Sequence, residues 1–583
     1  MGSKRSNRKK KKNLFKRKLL LLLLIIIIVG VLGLFIFNNN LFNKVIPSYD
    51  MYLAGNNTKV EVYTLKEDIL SDAIEMSRGV KVSTKNNYVT VNDTKYKEVF
   101  LNNKTYYVLD NYLVKNKKDV IKEDKMYVRI PSTIIENIND SKIVDMTNKG
   151  EEVQVIGYDS YDKDGVVNRY KIKVGEKEGY VEGKYLEFDL EEAKKNYHQD
   201  LYDNIYSKVN NYYDGGDASK LDYYPHDSVT FSDNVMPDGV YTLYLNNGSE
   251  VINNIDSYIE FAKSTKINAF VVDIKDNETP GYPAKTFKNF SPTNYEHAIN
   301  SYEKYKEAIK KLKDAGFYVI GRITTFKDSY YVKDHPEVAI LDKYTNKPYL
   351  HNGSYWPSAY NRDVWYYTLS LAKESVLEFG FNEINFDYVR FPDRMQSVSG
   401  RIDLKNSYNE SKIQAIERFA RYITDELHKL NVYVSIDVFG ETTNGTYTTA
   451  YGQYWSSISN IADVISGMPY PDHFSNGYYG INKPWNNPYR LMNAWGMAAM
   501  DRQKETMSPA KVRTWIQAYD VMRYVDSNGI NYNANEVKAE IKGLYDAGIK
   551  DGYITWLANS NLAKYRLQKG AYDIDYWEEY KDE

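Results

Sequence analysis

The sequence predicts a (β/α)8 TIM barrel over residues 238–583, preceded by a small β-rich region and an N-terminal transmembrane helix. Three observations carry this prediction. From Gly239 onward, eight apolar strand patterns alternate with helical ones. Residues 56–190 read instead as short alternating strands separated by turn clusters. At the N-terminus, an unbroken apolar run follows a basic segment.

Residues 1–18 hold ten Lys or Arg and no acid, and Leu19–Phe37 is apolar throughout. Nineteen residues span about 28 Å as a helix, enough to cross a bilayer core. The positive-inside rule places 1–18 in the cytoplasm and the chain beyond about residue 40 outside. The rival is a cleaved signal peptide, but the run is long for one and no small-x-small site follows in Phe35-Ile36-Phe37-Asn38. The expectation is an uncleaved, single-pass signal anchor at the cell membrane, with the C-terminal domain extracellular. Beyond residue 18, 66 basic residues face 78 acidic ones. That acidic body argues against nucleic-acid binding. The absence of cysteine excludes disulfides and thiolate metal sites.

The β-rich region divides into 56–120 and 121–190. Tyr107-Val108-x-x-x-Tyr112-Leu113 recurs as Tyr180-Val181-x-x-x-Tyr185-Leu186, an internal repeat with Gly179 added in the second copy. This pattern resembles the end of a bacterial SH3-like module. The resemblance implies a module of that kind, more closely matched in the second copy, that contacts the cell wall or serves as a spacer. Residues 191–237 read as a polar helical connector broken at Asp214-Gly215-Gly216-Asp217, then a loop.

The barrel strands are expected at Val240–Tyr244, Ala269–Ile274, Tyr318–Ile323, Ile384–Asp387, Val432–Val438, Val464–Met468, Val512–Gln517 and Tyr553–Trp556. Helical patterns such as Tyr295–Ala315 and Ile413–Leu430 lie between them. A doubly wound sheet would need fewer strands and usually a Gly-rich phosphate turn, and none is present.

In such a barrel the C-terminal strand ends supply the site. The fourth strand carries Glu383, Asn385 and Asp387 on one face and ends in Arg390 and Pro392. A polar inward face is costly in a core unless it lies at the open end, which makes Asp387 a catalytic candidate; a structural pair with Arg390 is the alternative. Other ends supply Asp273 and Lys275, Arg322, Asp437 and Glu441, Tyr470 with Asp472 and His473, Trp515 with Gln517, and Trp556. All eight Trp lie between Trp356 and Trp577, so Trp356, Trp515 and Trp556 are candidate sugar-stacking rings. Two carboxyl groups, hydrogen-bonding side chains and flat rings are the inventory that glycoside hydrolysis needs. No cofactor is expected. A carboxylate-held magnesium ion on Asp273, Asp387 and Asp437 is an alternative, as is a degenerate barrel that binds carbohydrate without cleaving it.

The motifs Val271-Val272-Asp273-Ile274-Lys275-Asp276, Arg322-Ile323 with Phe326-Lys327-Asp328, Gly380 through Pro392, Asp437-Val438-Phe439-Gly440, Met468 through His473 and Arg513 through Gln517 come in an order that resembles a bacterial glycoside hydrolase family, distantly like the α-amylase and α-galactosidase barrels. The match covers roughly 239–575. The resemblance implies hydrolysis of a polysaccharide with retention, Asp387 as nucleophile, and Asp437 or Asp472 as acid/base, with Glu441 an outside choice. Arg322 and Arg390 would keep Asp387 ionised. The chain departs from the family in Ser466-Gly467-Met468-Pro469 and in carrying Asp472 where Ser is usual before His.

Overall fold

The computed structural model describes residues 16, 20–31, 48–67, 69–209, 212–445 and 449–580. Apart from Lys16, the basic segment lies outside the described residues, as do residues 19 and 32–37 of the expected anchor. Residues 20–31 are helical, with apolar side chains exposed on every side. Among the described residues no helix is long and apolar enough to cross a membrane.

The chain forms two compact units, Met1–Asp124 with Ser160–Asn168, and Lys125–Asp159 with Arg169–Glu583. The first is β-rich. Its longest hairpin pairs Thr94–Leu101 with Lys104–Leu109 across Asn102-Asn103, both in the left-handed region that a two-residue turn requires. Met51, Leu53, Val60, Val82, Val99 and Val108 form its core.

The second unit begins with a seven-stranded antiparallel sheet. The sequence repeat is also a structural one. Lys104–Leu109 leads through a single 3-10 turn to Leu113–Val114, and Lys177–Glu182 leads through another to Leu186–Glu187.

The barrel consists of β1 (Val240–Leu245), β2 (Ala269–Asp276), β3 (Tyr318–Thr324), β4 (Glu383–Asp387), β5 (Tyr433–Phe439), β6 (Val464–Met468), β7 (Lys511–Val512 and Thr514–Gln517) and β8 (Gly552–Trp556). All neighbours are parallel, and β8 pairs back onto β1. The sheet is nearly closed, broken only inside β7, where Lys511–Val512 pairs with β6 and Thr514–Gln517 with β8. Helices between the strands include α1 (Ile255–Lys263), α2 (Tyr302–Asp314), α3 (Arg362–Phe379), α4 (Lys412–His428), α5 (Pro488–Lys504) and α6 (Ala534–Asp546). The helix expected from Tyr295 starts at Tyr302, because Ser301 caps it by accepting from the Lys304 amide.

Each strand buries both faces. Leu243, Phe270, Val319, Ile384 and Val434 face the helices, while Tyr244, Val271, Ile320, Trp515 and Ile554 fill the barrel. The N-terminal mouth is sealed by the segment before β1. Phe231 packs 4.9 Å from Tyr433, and Asn234 donates to the carbonyls of Asn382 and Asn431 at 2.7 Å each.

The expected boundaries at 190 and 237 do not coincide with the edges of the compact units. Tyr422 on α4 donates to the Ser141 carbonyl (2.8 Å) and Arg421 to that of Pro131 (2.9 Å), so residues from the second β-rich module pack on the barrel's fourth helix. Gly215, read as a breaker, is packed in place. A Cβ there would lie 1.6 Å from the Thr449 carbonyl oxygen.

Candidate active site

A cavity of about 280 Å³ opens at the C-terminal strand ends. Seven of the eight strands or the loops after them line it: Asp276 and Asn277 from β2, Arg322 and Lys327 from β3, Asp387, Tyr388 and Arg390 from β4, Phe439 from β5, Met468, Tyr470 and His473 from β6, Trp515 from β7 and Trp556 from β8.

Asp387 closes β4. Tyr388 turns into the left-handed region (φ 54°), which brings its own amide to Asp387 Oδ1 at 2.6 Å. A bulky residue there costs on the order of 1–3 kcal/mol, strain of a kind that clusters at functional sites. Arg322 donates from Nη2 to Asp387 Oδ2 at 2.6 Å. Its Nη1 reaches Asp273 Oδ1 at 2.6 Å and Asp276 Oδ1 at 3.3 Å. Tyr244 donates its hydroxyl to Asp273 Oδ2. Burial pushes the Asp273 carboxyl up to about 7, against the pull of Arg322.

Asp437 on β5 is fully buried and does not line the cavity. Asn385 and the Trp515 indole each donate to its Oδ1 at 2.8 Å. Burial, and then the charge of Asp387, holds its carboxyl well above the usual range. A magnesium ion does not suit this set, because Arg322 already bridges Asp273 and Asp387 while N–H donors occupy Asp437 Oδ1.

Asp472 is also sealed, with Tyr519 donating to Oδ1 at 2.6 Å and burial raising its carboxyl. Gln517 holds the Asp472 amide (3.3 Å) and the Tyr519 carbonyl (3.1 Å) and so shapes this loop instead of facing the cavity. Tyr470, His473, Trp515 and Trp556 are brought to the cavity as expected.

Glu441 lies just past β5, half-buried, on a neighbouring cavity of about 370 Å³. Phe439, Met468 and His473 line both cavities, so the two adjoin. Burial pushes the Glu441 carboxyl up.

Four expected contributors sit elsewhere or act otherwise. Glu383 is at the opposite end of β4, about 13 Å from Asp387 at strand rise. There it accepts from Arg513 Nη1 at 2.8 and 3.0 Å and from the Tyr318 hydroxyl at 3.0 Å, a buried ion pair low in the barrel. Lys275 follows an irregularity in the pairing of β2 with β3 and pairs with buried Asp328 at 3.1 Å. Arg390 lines the cavity without bonding to Asp387; it donates to the Phe391 carbonyl at 3.1 Å, and its guanidinium lies 5.1 Å from the Trp356 ring. Trp356 is buried behind it. Asp276, Asn277, Lys327 and Tyr388 line the cavity but were not among the expected site residues. Asp276, Lys327 and Tyr388 were already in the quoted motifs: Asp276 is the last residue of β2, Tyr388 directly follows β4, and Lys327 lies in the loop after β3.

Gly467 explains one departure in β6. A Cβ there would meet the Trp495 indole at 2.3 Å, and that indole donates to the Gly440 carbonyl at 2.8 Å. The β6 sequence is thus matched to the packing behind the β5 loop.

A parallel barrel sealed at one mouth, with carboxylates and aromatic rings around a cavity at the other, is the architecture on which barrel enzymes build their sites. Residues 239–562 match the family model described as "Putative glycosyl hydrolase domain", and the chain belongs to that family. No curated protein matches it. Among solved structures, a hypothetical protein from Ruminiclostridium thermocellum is 30% identical, covering 34% of this chain and 97% of its own, with a TM-score of 0.28. The glycoside hydrolase domain of PgaB from Bordetella bronchiseptica is 11% identical, covering 57% and 98%, with a TM-score of 0.42. A class V chitinase from Pseudomonas fluorescens is 12% identical, covering 57% and 99%, with a TM-score of 0.36.

Proposed function

We propose that this protein cleaves a glycosidic bond in a polysaccharide by a two-carboxylate, retaining mechanism. The observation that carries the reading is Asp387 at the open end of β4, bonded to the Arg322 guanidinium and to its neighbour's amide, on the wall of the cavity. The two donors fix the orientation of that carboxylate at the cavity wall. The carboxylate attacks the anomeric carbon while an acid protonates the departing oxygen, and the same acid, once ionised, takes a proton from the water that releases the sugar.

Three residues are candidates for that acid. Asp437 and Asp472 have raised carboxyls but no face on the cavity. Glu441 combines a raised carboxyl with a face on the adjoining space, which favours it. Phe439, Tyr388 and Trp556 offer rings for the sugar.

The test is trapping. A 2-fluoro glycoside that the full-length protein turns over should leave a covalent sugar on the peptide containing Asp387, seen by mass spectrometry. A label on another residue, or inversion of the product anomer, would refute this mechanism.

The reading includes a place. We propose that 19–37 anchors the chain in the cell membrane with the barrel outside, and that the β-rich modules are SH3-like and contact the cell wall. The support is the helix over 20–31, which has no polar face, together with the basic residues before it. Protease added to intact cells should remove the barrel; a protected barrel would overturn the topology.

A further inference from the structure

The basic side chains on the cavity are unequally used. Arg322 is paired with three carboxylates, those of Asp273, Asp276 and Asp387. Lys327 lines the same cavity half-buried, and among the described residues it makes no ion pair and no hydrogen bond; its ammonium lies 4.8 Å from the centre of the Tyr388 ring. Arg390 is 7% exposed. One of its nitrogens donates to the Phe391 carbonyl, and the nearest carboxylate oxygen, on Asp393, is 3.9 Å away. Its guanidinium is packed 4.2 Å from the Phe439 ring and 5.1 Å from that of Tyr388, which fixes its plane.

A cation drawn out of water without a close counter-ion is costly. Burial pulls the affinity of both groups for their protons down. Both cations flank Tyr388, the residue after the proposed nucleophile, on the β3–β4 side of the barrel. Trp515 and Trp556 stand on the opposite β7–β8 side. A sugar lying between these walls would direct one edge at rings and the other at two cations. Hydroxyl groups cannot neutralise such a pair; a planar or tetrahedral oxyanion can, through charge-assisted hydrogen bonds.

We infer that the glycan accepted by this cleft is anionic, with a carboxylate or phosphate group beside the scissile bond held by Lys327 and Arg390; the inference rests on the glycoside hydrolase reading. The experiment uses the full-length Asp387→Asn protein and calorimetric titration with three probes: a glucuronic-acid oligosaccharide, its carboxyl-reduced neutral form, and a phosphodiester-linked sugar oligomer. At least one anionic probe should bind about tenfold or more tightly than the neutral one, and which does so separates carboxylate from phosphate. Adding Lys327→Met should erase most of that preference, and Arg390→Met the rest. Because Arg390 is buried, Lys327→Met alone decides the matter if the Arg390 variant does not fold. Equal binding of all three probes, or a preference unchanged by Lys327→Met, would overturn the inference. Hydrolysis by the wild-type chain, measured in parallel, keeps the two readings apart. Cleavage of neutral glycans with no anionic preference defeats only the anion site. Anion binding without cleavage of any glycan defeats only the hydrolase.

Discussion

Arg322 and Asp387 meet through a 2.6 Å hydrogen bond, and the other terminal nitrogen of the same guanidinium reaches Asp273 at the same distance. One cation on β3 therefore ties the carboxylate at the end of β4 to the one on β2. The guanidinium is 2% exposed and lies 5.4 Å from the Trp556 ring. Its position is set by packing as well as by charge, so it can hold Asp387 in a fixed orientation as charge develops on a bound sugar.

Removing that cation should therefore damage both the fold and the chemistry. Arg322→Met leaves two buried carboxylates without their counter-charge, and breaking a buried pair in this way costs about 3–5 kcal/mol. Urea denaturation should show a loss of that order, and turnover should fall sharply. Arg322→Lys should recover part of the stability but little of the turnover, since an ammonium cannot bridge both carboxylates as the fork does. Unchanged stability in Arg322→Met would show that the bridge is not what holds this layer.

Asp387→Asn keeps the shape of the site and removes the nucleophile, so turnover should collapse while glycan binding survives. The acid is identified by leaving group. Of Glu441→Gln, Asp437→Asn and Asp472→Asn, the substitution at the true acid should slow poor leaving groups far more than activated aryl glycosides, because only the former need protonation. We expect that signature for Glu441→Gln. Were Asp437→Asn or Asp472→Asn to show it instead, the corresponding carboxyl must reach the cavity when substrate is bound.

Much of the barrel was legible, because its strands alternate between two buried faces and their ends repeat a carboxylate pattern. The depth of each side chain was not. Glu383, Asn385 and Asp387 share a face by period, yet period alone does not say that Glu383 lies low in the barrel with Arg513 while Asp387 faces the cavity. Asp437 and Asp472 read as strand-end carboxylates, but their partners, Trp515 and Tyr519, come from a strand and a loop distant in sequence. Lys275 was misplaced by an irregularity in β2 that no composition signal marks. The repeat at Tyr107 and Tyr180 was visible because it preserves a strand, a turn and a second strand in one short span.

Stability should carry the mark of Asp273. Its carboxyl is raised from 3.8 to about 7 in the folded protein, so between those values the native state holds a proton that the unfolded chain has released. Its stabilising contribution is then full below about pH 4 and is lost as pH rises through about 7. Asp273→Asn removes this titration. The difference in unfolding free energy between Asp273→Asn and wild type should thus move in favour of the variant from pH 5 to pH 7.5. A difference that stays constant over that range would show that Asp273 is ionised throughout.

The ion pair at the far end of β4 makes the opposite kind of prediction. Glu383 and Arg513 are both fully buried, bonded at 2.8 and 3.0 Å, and Tyr318 satisfies a further lone pair on Glu383. Glu383→Gln leaves the Arg513 guanidinium charged and without a carboxylate, so a loss of about 3–5 kcal/mol is expected in urea denaturation. Replacing both residues by methionine removes the desolvated charges together and should restore much of that loss. Because this layer lies about 13 Å below Asp387 at strand rise, neither the single nor the double variant should change kcat/KM per folded molecule by more than about twofold. A Glu383→Gln protein that is as stable as wild type but has lost its affinity for glycan would instead put Glu383 in the substrate site.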